Sequence, residues 1–103
     1  MTQTLLQVDF NHQGPFGEEM ATQLAGLAAS INEEPGFIWK IWTENEAEQL
    51  AGGVYLFADA ASAQAYLTMH TARLTQMGFT GIRGRVFNVN ADLSTINQAT
   101  FAL

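Results

Sequence analysis

His70, Trp39 and Tyr55 are the side chains of this 103-residue chain whose types and expected placement can do chemistry. An imidazole with an ordinary pKa of about 6.5 is a base near working pH. His70 falls in the run Ala63, Tyr66, Leu67, His70, Leu74 and Met77, which has helical spacing and so points one polar, titratable group at the apolar core. That position suits a general base, and it also suits a core histidine bonded to a backbone carbonyl. Trp39 and Tyr55 add one indole N–H and one phenolic O–H, donors for a developing oxyanion whose rings can hold an aromatic substrate, or else ordinary core rings. Phe10, Phe37 and Tyr66 are the further candidate substrate contacts. Arg73, one turn after His70, either anchors an acidic substrate group or forms a surface ion pair. His12 reads as a solvated loop histidine near a pocket mouth.

Other chemistries lack their residues. The sequence has no cysteine, which removes thiol catalysis, disulfides and iron–sulfur ligation. Two histidines on separate elements, without matched carboxylates, do not make a metal site. No phosphate loop, serine triad or dinucleotide fingerprint occurs. The residues therefore point to neither a metal site nor a dinucleotide cofactor. A net charge of -6, with only Lys40, Arg73, Arg83 and Arg85 basic, argues against a nucleic-acid partner. No basic leader and no apolar run of about 18 residues is present, so the expectation is a cytoplasmic protein that does not span a membrane.

The elements that must position these residues are legible from pattern. Residues 4–10 alternate, with Leu6, Val8 and Phe10 on one face, and predict a first strand. Two glycines, a proline and an asparagine make residues 11–17 a loop, and Met20, Leu24, Leu27, Ala28 and Ile31 give a helix over 18–32. The apolar stretch from Pro35 to Glu44 predicts a strand with a tryptophan on each face. Strict alternation puts Phe37, Trp39 and Ile41 on one side and Ile38, Lys40 and Trp42 on the other; the first set is assigned to the helices, and because neither face is polar the reverse assignment stays open. Residues 51–58 form a third strand, in which Gly52-Gly53 signals a bulge or a close backbone approach. Asp59 caps a second helix that runs to Met77 and stops at Gly78. Residues 80–90 give a fourth strand whose Arg83 and Arg85 share a face with partners at Asp9 and Gln7. A short helix over 92–98 offers Leu93, Ile96 and Phe101 for docking.

The order β-α-β-β-α-β predicts one domain over residues 1–103, an α+β ferredoxin-like fold with a four-stranded antiparallel sheet and two helices on one face. The opposite face carries large apolar groups, and a face-to-face homodimer would cover them.

Several segments carry a resemblance. Gly14-Pro15-Phe16-Gly17, Ser30-Ile31-Asn32, Glu34-Pro35-Gly36-Phe37, Trp39-Lys40 and Trp42-Thr43-Glu44 resemble the YdhR family of small monooxygenases. So do Ala51-Gly52-Gly53, Tyr55-Leu56-Phe57, His70-Thr71-Ala72-Arg73-Leu74, Val86-Phe87-Asn88-Val89-Asn90 and Ile96-Asn97-Gln98-Ala99. The resemblance implies a homodimeric α+β barrel of the antibiotic-biosynthesis monooxygenase type, with an apolar pocket between sheet and helices. It also implies oxygen chemistry on an aromatic or polycyclic phenol without flavin, haem or metal. A non-catalytic dimeric module that binds a small apolar ligand or a regulatory partner is the alternative, and a haem-binding or haem-degrading relative is a second.

Overall fold

The computed structural model describes residues 2–99. Its elements are β1 (Thr4–Asn11), α1 (Gly17–Ile31), β2 (Phe37–Asn45), β3 (Leu50–Phe57), α2 (Ala60–Gln76), β4 (Arg83–Asn88) and α3 (Ala91–Ile96). The four strands form one sheet in the order β2-β3-β1-β4, and every neighbouring pair is antiparallel. This is the expected ferredoxin-like arrangement with a short third helix added. Among the described residues no helix is long and apolar enough to cross a membrane.

Alternation in β1 buries Thr4, Leu6, Val8 and Phe10 on the inner face and leaves Leu5, Gln7 and Asp9 on the outer one. α2 lies over that inner face and buries Ala63, Tyr66, His70 and Leu74. The Asp59 carboxylate starts α2 by accepting the Ser62 N–H at 2.7 Å. Gly78 ends it with φ +92, a left-handed conformation that costs glycine little. α1 stands farther from the sheet and buries only Met20 and Ile31. Its N-terminus has no side-chain cap of its own. The Glu44 carboxylate of β2 takes that place, accepting the Gly17 N–H at 3.0 and 3.3 Å.

Strand β2 breaks the strict alternation expected of it. Phe37 pairs with Phe57 and Trp39 with Leu56, so two steps on β2 match one on β3, a bulge between Phe37 and Trp39. From there Lys40 pairs with Tyr55 and Trp42 with Gly53. Phe37, Lys40 and Trp42 thus share the inner face with Tyr55 and Phe57, while Trp39 and Ile41 turn outward. The expected grouping of Trp39 with Phe37 on the helix side is overturned, because the extra residue reverses side-chain parity.

No bulge forms at Gly52-Gly53; the pair serves close approach instead. A Cβ on Gly52 would run into the carbonyl oxygen of Val8 on β1, and one on Gly53 would take the place of Lys40 Cε. On the outer face Arg83 Nε donates to Asp9 Oδ1 at 2.9 Å, and Arg85 lies opposite Gln7. The same face bears Leu5, Trp39, Ile41, Leu56 and Phe87, of which Ile41 and Phe87 are exposed. Of the residues expected to dock the tail, Leu93 and Ile96 remain exposed and Phe101 lies outside the described residues.

Gly52→Ala is expected to cost more than about 2 kcal/mol in urea unfolding, since the obstruction is backbone on a central strand. Gly26→Ala, where nothing lies within 4 Å of the new Cβ, is expected to gain up to about 1 kcal/mol by helix propensity.

Candidate functional site

Because α1 stands off from the sheet, a cavity of about 210 Å³ opens between it, α2 and the inner strand faces. Phe10, His12, Gly14 and Pro15 come from the end of β1 and its loop, and Met20, Gln23, Leu24 and Leu27 from α1. Lys40 and Trp42 of β2, Gly52 and Tyr55 of β3, and His70 and Leu74 of α2 complete the wall, with Met77 and Phe79 at the end of α2. No lining residue is an aspartate or glutamate. By size the space suits one or two fused rings, given that a dry cavity of about 150 Å³ accepts benzene.

The polar groups gather at one corner. Arg73 Nη2 donates to His70 Nδ1 at 2.8 Å and to the Tyr66 hydroxyl at 3.3 Å. Guanidinium has no acceptor, so His70 Nδ1 must be the bare nitrogen and the ring proton sits on Nε2. His70 is then a neutral hydrogen-bond donor toward the cavity. Tyr66 O–H donates to the Tyr55 hydroxyl oxygen at 3.3 Å, which leaves Tyr55 its own proton for a further acceptor. The arginine, Tyr66 and Tyr55 thus form a chain of donors that ends in the cavity, each bond polarising the next. Lys40 Nζ enters the same corner from β2, 3.3 Å from the Trp42 ring centroid and 4.5 Å from that of Tyr55.

Of the expected site residues, the structure brings His70, Tyr55 and Phe10 to the cavity wall. Tyr66 and Arg73 stand behind them and act through hydrogen bonds to Tyr55 and His70. Arg73 is half-buried and meets no carboxylate among the described residues, so the surface ion-pair reading does not hold. Phe37 and Trp39 lie outside the cavity and border a separate hollow beside Ala28 to Asn32. Phe37 packs edge-on against Phe57, and Trp42 takes the wall position assigned to Trp39. His12 is not solvated: it is 8% exposed, set among Phe10, Phe16 and Phe79, and its Nε2–H donates to the Pro15 carbonyl at 2.8 Å.

Lys40 is the residue that sequence reasoning missed. Its signal was present as the one lysine of the sequence, in an apolar strand and two positions from a tryptophan, the spacing that shares a face. Among the described residues no three histidine or acidic side chains gather within reach of one metal ion.

A protein-family model described as "Putative mono-oxygenase ydhR" matches residues 5–100. No curated protein matches the chain. Three solved structures share the fold at low identity. One is the NE2512 protein of unknown function from Nitrosomonas europaea, 19% identical with a TM-score of 0.60, the match covering 87% of this chain and 91% of that one. The second is described as a "putative antibiotic biosynthesis monooxygenase" from Deinococcus radiodurans, 11% identical with a TM-score of 0.59 over 84% and 92% of the two chains. The third is a variant of SnoaB, a cofactor-independent oxygenase from Streptomyces nogalater, 17% identical with a TM-score of 0.57 over 86% and 93%.

Burial and mutual repulsion shape the charge state of the corner. Desolvation first, then the Arg73 charge, lowers Lys40 from 10.5 to about 7. Desolvation, then Arg73 and Lys40, lowers His70 from 6.5 to about 3. Burial and the neighbouring Tyr66 push Tyr55 well above the usual phenol range, so it stays a proton donor. Each depressed base binds fewer protons in the fold than in the unfolded chain, so stability rises with pH across its window and is lost as pH falls. The windows run from about 3 to 6.5 for His70 and from about 7 to 10.5 for Lys40. Lys40→Met is accordingly expected to stabilise the fold by roughly 2–4 kcal/mol at neutral pH. Urea titrations at several pH values check this, because the gain must shrink as pH approaches 10.5.

Proposed function

From the premise that this chain belongs to the ydhR mono-oxygenase family, we propose that it is an oxygenase that oxidises a small aromatic phenol with molecular oxygen, using no flavin, haem or metal. The observation that carries this reading is the donor corner inside an otherwise apolar cavity, whose wall holds both Tyr55, with its O–H unspent by the Tyr66 bond, and His70, with its proton on Nε2. In such a reaction the substrate is its own reductant. Loss of the phenolic proton makes an electron-rich anion, which passes electrons to oxygen; one oxygen atom enters the ring to give a quinone and the other leaves as water. What the protein supplies is a dry space and fixed donors for the anion.

His70 acts here as donor and not as base, because Arg73 occupies the lone pair that a base would use. Tyr55 is the second donor, with Tyr66 and Arg73 as positioning residues. Phe10 and Trp42 hold the ring, while Trp39 and Phe37 have no part in the cavity. The cavity volume favours one or two rings over a larger polycycle. The protein works in the cytoplasm as a single-domain subunit of a homodimer, paired through the outer sheet face, which carries Trp39 and the exposed Ile41 on one edge strand and the exposed Phe87 on the other.

With a panel of one- and two-ring phenols, oxygen uptake and incorporation of labelled oxygen are expected for at least one member. His70→Ala and Tyr55→Phe should each lower kcat by about 10²-fold while the fold persists; an unchanged rate in both would remove the donor roles. Ile41→Glu, paired with Phe87→Glu, is expected to convert a dimer to monomers in sedimentation experiments. A wild-type chain that sediments as a monomer would contradict the proposed interface.

A further inference from the structure

Three nitrogens in the cavity wall have a lone pair able to take a proton: Nδ1 of His12, Nδ1 of His70 and Nζ of Lys40. The first two are out of reach. Arg73 donates to His70 Nδ1 at 2.8 Å. His12 Nδ1 is sealed from water and has no hydrogen-bond partner among the described residues, its ring lying against Phe10, Phe16 and Phe79. Lys40 remains. It forms no ion pair among the described residues, and its head rests on the Trp42 and Tyr55 rings. A Cβ at position 53 would collide with its stem, so a glycine on the neighbouring strand makes the room it occupies.

We propose that Lys40 is the proton acceptor of this site, and that the cavity selects acidic phenols, which enter neutral, give their proton to the Lys40 amine and stay as phenolates against the ammonium. In this step the phenolic O–H bond breaks and an N–H bond forms; no electron moves, and the net charge of the complex is unchanged. The ring faces of Trp42 and Tyr55 take up the ammonium charge, and Tyr55 O–H and His70 Nε2–H face the phenolate. The inference deepens the oxygenase reading, on which it rests for the later fate of the phenolate, but the proton transfer needs no oxygen.

The surroundings of Lys40 make it the group that titrates. Tyr55 faces it from β3, His70 and Arg73 from α2, and Trp42 from its own strand; α1 brings Met20, Gln23, Leu24 and Leu27, none of them titratable. Tyr55 keeps its proton, and His70 stays neutral down to about 3. Burial and Arg73 together bring Lys40 to about 7, so in neutral water the amine is free in a large share of molecules. An ordinary surface lysine would be almost wholly ammonium there.

The test uses the fact that Lys40 is the only lysine in the sequence. Protein labelled with carbon-13 lysine gives one side-chain signal, which is expected to titrate near neutrality in the empty protein. Under an oxygen-free atmosphere, 4-nitrophenol is then added in buffer below its own pKa, where the free probe is the colourless phenol. Saturable appearance of the yellow phenolate band, with the lysine titration midpoint moving to higher pH when the probe is bound, is the expected result. Lys40→Met should still bind the probe, read by quenching of tryptophan fluorescence, with the phenolate band reduced at least about tenfold. The proposal is overturned by a lysine signal that titrates in the ordinary range, by a probe bound as neutral phenol, by no saturable binding, or by an undiminished band in Lys40→Met. If that variant does not fold, the wild-type titration decides alone. A chain that ionises the probe yet consumes no oxygen with any phenol keeps this inference and loses the oxygenase reading.

Discussion

The bulge between Phe37 and Trp39 is the constraint on which the site depends. One extra residue in an edge strand reverses the parity of everything after it, and here that brings Lys40 and Trp42 under the helices while Trp39 and Ile41 turn to the opposite face. The rest of the sheet is prepared for this arrangement. Gly53 leaves space for the lysine stem, and Tyr55, the cross-strand partner of Lys40, gives its head a ring face to rest on. Farther along β2, Glu44 fastens the start of α1, the helix whose distance from the sheet makes the cavity. A single strand therefore sets the wall, the charged group and the lid helix of one space.

Placing two cations in one apolar corner, in a chain of net charge -6, forces a hierarchy among the bases. Guanidinium is the fixed cation of the pair. His70 yields first, giving its lone pair to the guanidinium and remaining neutral, and Lys40 yields next. The other two basic residues sit on the outer face opposite Asp9 and Gln7, where water and a carboxylate serve them. The corner consequently combines a fixed positive charge, two neutral donors and an amine near its titration point. Such a set suits a ligand that arrives neutral and becomes an anion.

Much of the fold was legible because the sequence states it locally. Alternation in residues 4–10, the Asp59 cap, the stop at Gly78 and the helical run through His70 all appear where their patterns place them, since each depends on neighbours within a turn or a strand. The inward placement of His70 and Tyr55 follows from the same periodicity. His12 was misread for the opposite reason: Phe79, far along the chain, packs against its ring. Gly52-Gly53 announced close approach correctly, yet nothing near it says that the bulge belongs to the partner strand.

By itself, the sequence determined the order of elements, the ferredoxin-like plan, and the helix face that carries His70, because hydrophobic period and turn chemistry are properties of short stretches. Only the tertiary structure decided which tryptophan lines the cavity, that Lys40 points inward, and that Arg73 takes the His70 lone pair. Those outcomes rest on register between strands and on contacts between side chains far apart in sequence or on different elements. A one-residue shift in pairing exchanges the two faces of β2 while leaving its composition unchanged.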